Sequence, residues 1–181
     1  MVPSADKILR TVRPVSLPVR DGAVSLEGRE DLQFVSVVNR YGNGKQVIGV
    51  FENFGLCEGA FATTITHDSH NLLVVYRDPE SALKAVQALQ ACGGGICAVK
   101  DSKASVLELP VAGLMSNLPC RQMAERIETV QKAVQEITTP ETSLLGASIM
   151  SLTALPGVTI TDFGLVDGIS QTLLPVFPSE R

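Results

Sequence analysis

The chain has 181 residues, of which 45% are hydrophobic, 19% charged and 4% aromatic with no tryptophan, a content that suits one ordinary core built mainly from Val, Leu, Ile and Ala. A formal charge of -4 gives no electrostatic reason to expect binding to a nucleic-acid backbone or an anionic membrane. No apolar run approaches the roughly 18 residues that span a bilayer, and "MVPSADKILRTVRPV" lacks the apolar centre and cleavage pattern of a signal peptide, so the cytoplasm is the expected location.

Near the amino terminus Pro3, Pro14 and Pro18 break up short apolar stretches, which predicts a leading helix or coil and then one or two short strands ending at Asp21-Gly22. Residues 1–31 are expected to be peripheral to a core over 32–181, the whole chain 1–181 forming a single domain. From Leu32, "LQFVSVVNRYGNGKQVIGVFENFG" reads as two β-rich runs joined by "YGNGK", with Asn43-Gly44 supplying the positive φ of a tight hairpin. A third run, "GAFATTIT", enters the stretch "HDSH", and a fourth, "NLLVVYR", leaves it, which places that stretch at a strand end or hairpin tip.

"DPESALKAVQALQACGGG" predicts a helix capped by Asp78, opened by Pro79, striped by Leu83, Val86 and Leu89, and stopped by glycine. "GICAVKD" and "ASVLELPV" predict a second hairpin turning at Asp101-Ser102-Lys103. "LPCRQMAERIETVQKAVQEI" is the clearest amphipathic segment, with Met123, Ile127, Val130, Val134 and Ile137 at helical spacing and Arg121, Glu125, Glu128 and Lys132 opposite. "SLLGASIMSLTAL" is apolar nearly all round and is read as a helix over a strand; "GVTITDFGLVDG" and "QTLLPVF" close the chain with β character. Hairpins interspersed with helices predict an α+β layered sandwich with a mostly antiparallel or mixed sheet and packed helices. Cys57, Cys92, Cys97 and Cys120 form no C-x-x-C pair and are read as reduced thiols filling core positions.

Both histidines of the chain lie in His67-Asp68-Ser69-His70, the one place that gathers groups able to move protons near neutral pH. Adjacent residues diverge, which disfavours a Ser-His-Asp relay among them. Two imidazoles and a carboxylate would suit one zinc or iron ion only in a loop folded back on itself. The plainer alternative is a polar turn in which Asp68 and Ser69 bond to loop amides. Asn39 and Arg40, ending the first core strand, offer planar hydrogen bonding to a carboxylate, a phosphate or a nucleobase edge, or else form a solvated hairpin shoulder. Gly93-Gly94-Gly95 follows a helix where a phosphate cradle precedes one, and is read as a helix stop.

Several stretches in order, "VVNRYG", "NFGLCEGAFATTITHDSHNLLVV", "GGGICAVKD", "LELPVAGLMS" and "TDFGLVD", resemble the C-terminal domain of microbial adenine deaminase, from about residue 32 to near the end. The resemblance implies a part in the hydrolytic deamination of adenine to hypoxanthine and ammonia, a hydrolase reaction on a C–N bond of a cyclic amidine. It also implies that the metal ligands, a His-x-His pair and further His, Glu and Asp around manganese or iron, lie in a preceding (β/α)₈ amidohydrolase barrel. This chain has no room for such a barrel and no His-x-His. No metal ligands and no cofactor are therefore assigned to it alone, and activity of the lone chain is not expected. The expected partners are an amidohydrolase barrel chain or a homo-oligomer, and adenine or a related small molecule. His67, Asp68 and His70 are the candidates for reaching toward the chemistry, with Asn39, Arg40, Ser69 and Asn71 as candidates for binding. The other readings are a stand-alone module that binds a small purine-like ligand in a pocket around Asn39, Arg40 and the histidine turn, and an oligomerisation module without catalysis.

Overall fold

The computed structural model describes residues 1–4 and 10–177. Thirteen short and long strands and three helices follow one another along those residues. The leading pairs are β1 (Val2–Pro3) with β2 (Val12–Arg13), and β3 (Val19–Arg20) with β4 (Ala23–Val24), the second turning at Asp21-Gly22. Part of the leading helix or coil expected from the sequence, 5–9, lies outside the described residues.

The body is a six-stranded sheet made of β5 (Leu32–Val38), β6 (Gln46–Glu52), β7 (Ala60–Thr63), β8 (Leu72–Tyr76), β9 (Gly95–Lys100) and β10 (Lys103–Glu108). Its spatial order is β10-β9-β7-β8-β5-β6, and every neighbouring pair is antiparallel. β5 and β6 form the expected hairpin, with Gly42 and Gly44 carrying the positive φ while the Asn43 side chain accepts from the Lys45 amide. β9 and β10 form the other, turning through Asp101 and Ser102 at positive φ.

Because side chains alternate across a strand, the central strands bury both faces. On one side Ala60, Ala62, Leu72, Val74, Cys97 and Val99 meet Ala85 and Leu89 of α1 (Pro79–Cys92). On the other, Val35, Val37, Phe51, Phe61, Leu73 and Val75 meet Val130, Val134 and Ile137 of α2 (Cys120–Ile137) and Ala147 of α3 (Leu144–Ser148). This second layer is completed by a small antiparallel sheet of β11 (Val158–Thr161), β12 (Gly164–Asp167) and β13 (Thr172–Leu174), which sends Val158, Ile160 and Leu165 into the same core. The fold is thus an α+β layered sandwich on an antiparallel sheet.

α1 starts as its sequence directs: the Asp78 carboxylate accepts from the Ser81 amide at 2.8 Å, Pro79 opens the first turn, and Gly93 ends the helix at φ 83°. Its buried face differs from the expected stripe. Leu83 is 59% exposed, and the inward face runs through Ala82, Ala85, Val86 and Leu89. The sheet presents Ala60 and Ala62 beneath it, so the helix comes close and small residues fill the contact. The segment read as a long apolar helix forms only the five residues of α3, capped by Ser143, before turning. Its apolar character is only partly buried, since Leu145 points outward while Ala147 and Met150 enter the core. Among the cysteines, only Cys97 is a buried core residue; Cys57 and Cys120 are exposed and all four are free. No described helix is long and apolar enough to cross a membrane.

Candidate functional site

β7 and β8 pair with each other, so the intervening residues cross the end of the sheet and carry His67-Asp68-Ser69-His70 at a hairpin tip. The tip is fixed from several sides. Within it, the His70 amide donates to the Thr66 carbonyl at 2.7 Å and the Thr66 hydroxyl donates to the Asn71 carbonyl at 2.6 Å. The His67 amide donates to the Ser148 carbonyl at 2.7 Å, which ties the turn to the end of α3. The His67–Asp68 peptide is cis, and His70 adopts a left-handed φ of 51°.

Arg40 brackets the turn. Its Nε donates to the His70 carbonyl and one terminal nitrogen donates to the Ala112 carbonyl, both at 2.6 Å, and the Tyr41 hydroxyl adds a 3.3 Å bond to the same His70 oxygen. The loop containing Ala112 is itself held by the triple glycine. Gly94 lies so close to Gly113 that a Cβ on it would sit 2.6 Å from the Gly113 Cα, and the Thr64 hydroxyl donates to the Gly113 carbonyl while accepting from the Gly95 amide. The triple glycine therefore stops a helix, as expected, and also lets two loops close over the base of the turn.

Within this frame the two imidazoles meet edge to face, ring centroids 5.6 Å apart. His67 and His70 are half-buried, Asp68 and Ser69 are exposed, and Asn71 is buried at 1% exposure. The His70 Nδ1 and the Asn71 Oδ1 are both buried without a hydrogen-bond partner. Asn39 points elsewhere: its side-chain amide donates to the Asp162 carboxylate at 2.9 Å and its carbonyl oxygen accepts from the Tyr41 amide. The structure thus gathers His67, Asp68, Ser69, His70 and Asn71 in one turn, sets Arg40 behind it and directs Asn39 toward the small sheet.

Beside the turn lies a groove of about 610 Å³, walled by Asp68 and Ser69 on one side and by Ser151, Thr161, Asp162 and Val166 on the other. Sequence reading missed Ser151 and gave Asp162 no role. Both lie more than eighty residues beyond the turn, and neither belongs to a pattern that marks a site. Ser151, Thr159 and Arg10 also hold buried polar atoms without partners. Arg10 abuts the same region, because one of its terminal nitrogens donates to the Ile149 carbonyl and its backbone bridges Gly157. Among the described residues, every unpartnered buried side-chain nitrogen or oxygen lies on this turn or on or against the segment 149–159.

Among the described residues, no three His, Cys, Asp or Glu side chains converge as metal ligands.

Residues 7–172 match the family model described as adenine deaminase C-terminal domain. The chain is 40% identical over 153 residues to an adenine deaminase of Methanothermobacter thermautotrophicus, covering 84% of this chain and 28% of that protein. It is 41% identical over 156 residues to an adenine deaminase of Moorella thermoacetica, covering 84% and 26%, and 36% identical over 171 residues to one of Clostridium botulinum, covering 93% and 28%. It spans little more than a quarter of the length of these curated relatives. The fold just described, with its histidine turn braced at one end of the sheet, is that of a chain belonging to the adenine deaminase C-terminal domain family.

Proposed function

We propose that this chain serves as the C-terminal part of an adenine-deaminating assembly, its histidine turn completing a site whose catalytic region is the other three-quarters of the relatives' length. One observation carries the reading: the unpartnered buried polar atoms gather at the turn and the segment beside it. A buried donor or acceptor left without a partner costs about 1–3 kcal/mol, so a cluster of them at and beside the turn fits a region whose packing is completed only against the rest of the complete enzyme.

Deamination replaces an aromatic C–N bond by C–O, so a water must lose a proton and the departing nitrogen must gain one. His67 and His70, half-buried with their rings edge to face, are the groups of this chain whose chemistry suits that traffic. Asp68 and Ser69, exposed at the tip, would contact the catalytic region or the purine. Arg40 is a positioning residue in this account, holding the His70 backbone through its carbonyl. Asn39 and Asn71 take supporting places, the first orienting Asp162 and the second closing the base of the turn. Manganese or iron belongs in this reading to the catalytic region, and no step is assigned to a metal on this chain.

The test is ammonia release from adenine, measured with manganese or iron present. The chain alone is expected to be inactive, and mixing it with the catalytic region of a relative lacking its own C-terminal part is expected to restore turnover. Metal-dependent turnover by the lone chain, or full activity of the catalytic region without it, would overturn the proposal.

A further inference from the structure

α1 lies chiefly over β7, β8, β9 and β10, and the same face of the sheet runs on past the helix onto β5 and β6. On that face the cross-strand pairs are Phe34 with Val50 and Ser36 with Ile48, since Val35 and Val37 alternate into the opposite core. The leading strands shield part of it, with Val15, Leu17 and Val24 packed beside Phe34 and Val50. Between those strands and the start of α1 remains a groove of about 600 Å³, lined by Phe34, Val50 and Tyr76 and by Val19, Ile48 and Phe177. Among the described residues no charged side chain lines it, in a chain of which 19% is charged. Val19, Ile48 and Phe177 are 66%, 54% and 77% exposed there. The one polar side chain is that of Tyr76, and its hydroxyl already accepts from the Ser36 hydroxyl at 3.3 Å. Little in the lining would orient a polar small molecule, whereas branched and aromatic side chains left in water gain from an apolar surface that covers them.

The covering partner follows from where the rest of the relatives' length attaches. The family match begins at residue 7 and the family is a C-terminal domain, so the other three-quarters of each relative precedes it. That polypeptide reaches the domain beside β1, whose Val2 lines the groove and whose next residue, Ser4, bridges Glu52 at the end of β6. The catalytic region is thereby tethered at the rim of an uncharged, half-wet apolar groove. We infer that an apolar segment of the catalytic region fills this groove. The inference rests on the proposed assembly but names a second contact, away from the histidine turn. In β8, Leu72 follows that turn and Tyr76 stands at the far end of the strand, about 13 Å along it. The groove therefore sets how tightly the assembly holds, and the turn sets its turnover.

Titrating the chain into the catalytic region of a relative lacking its own C-terminal part tests this, with calorimetry for binding and ammonia release for turnover. Val19→Glu and Ile48→Glu each raise the dissociation constant about 10-fold or more, because a carboxylate is then buried among apolar groups, while kcat at saturation stays that of the parent. Ile48→Val, which removes one methylene, weakens binding by no more than about 5-fold. Both glutamate variants keep the thermal midpoint of the lone chain within about 3 °C, the replaced side chains being more than half exposed. A parent complex whose affinity neither glutamate variant changes overturns the inference. So does a self-association of the lone chain that the same variants abolish, which assigns the groove to a second copy. Absence of any complex between the parent chain and the catalytic region overturns both the inference and the proposed function. A complex that the variants weaken but that releases no ammonia upholds the groove contact and overturns the role in deamination alone.

Discussion

The layer beneath α1 and the end of the sheet that carries the histidine turn are built on opposite principles. Beneath α1, alanines, valines and leucines from four strands meet the helix, and no described side chain there holds a buried polar atom without a partner. At the turn, His70 and Asn71 hold such atoms, and so do Ser151, Thr159 and Arg10 on or against the segment 149–159. The first region is complete within the chain. The second is well braced, by Arg40 and by the Gly94–Gly113 approach, yet its polar groups outnumber the partners the chain offers them. Rigid backbone with unmet side chains is the pattern expected of a binding surface, whereas a sealed apolar layer is the pattern expected of a scaffold.

The largest expected effect concerns the sealed layer. Burial pushes the Cys97 thiol up from its ordinary value of 9.0 to about 12, so at pH 8 it stays protonated and carries about a thousandfold less thiolate than an unshifted thiol. Cys57 and Cys120 are expected to react readily with a thiol reagent while Cys97 reacts only on unfolding, a difference that mass spectrometry of the labelled protein resolves. Rapid labelling of Cys97 in the folded protein would mean that this side is not sealed.

Leu89→Ala comes next. Removing a side chain that is 2% exposed between α1 and the sheet is expected to cost about 3 kcal/mol, read from the urea midpoint. Arg40→Lys is expected to cost about 2 kcal/mol, because an ammonium cannot span the His70 and Ala112 carbonyls as the guanidinium does. That variant should also speed hydrogen exchange of the His70 amide while leaving the amides of β8 protected. At the small end stands Thr159→Val. A hydroxyl that is buried and unpartnered can be replaced by a methyl with a change of no more than about 0.5 kcal/mol, and a gain is as acceptable as no change. A loss near 2 kcal/mol would show that the hydroxyl is satisfied and would weaken the contrast between the two regions.

Much of the scaffold was legible because its signals are local. Asp78, Pro79 and Gly93 mark the ends of α1, and the β-rich runs flanking residues 67–70 place the turn at a hairpin tip. The face of α1 was misjudged because a stripe spaced every three residues drifts around a helix of 3.6 residues per turn, and alanine carries little weight in a pattern search although Ala60 and Ala62 make it the fitting partner. The candidate site was legible only in its turn. Nothing local connects Arg40 to the His70 carbonyl, Thr64 to Gly113 or Asn39 to Asp162, and these contacts exist only once six strands have set their register. The wall of the groove formed by Ser151 and Asp162 lies in a stretch whose sequence reads as an apolar helix followed by a strand, so its polar members attract no notice.

The central claim is that the histidine turn is made to act with groups outside this chain. It is tested most directly by pairing the His67→Asn, His70→Asn double variant with the catalytic region and measuring kcat for adenine beside the thermal midpoint of the variant alone. Asparagine tolerates the left-handed φ of residue 70 and leaves the backbone bonds of the turn in place. The account predicts a kcat lowered about 100-fold or more with a midpoint within about 2 °C of the parent. Turnover equal to that of the parent chain would contradict it.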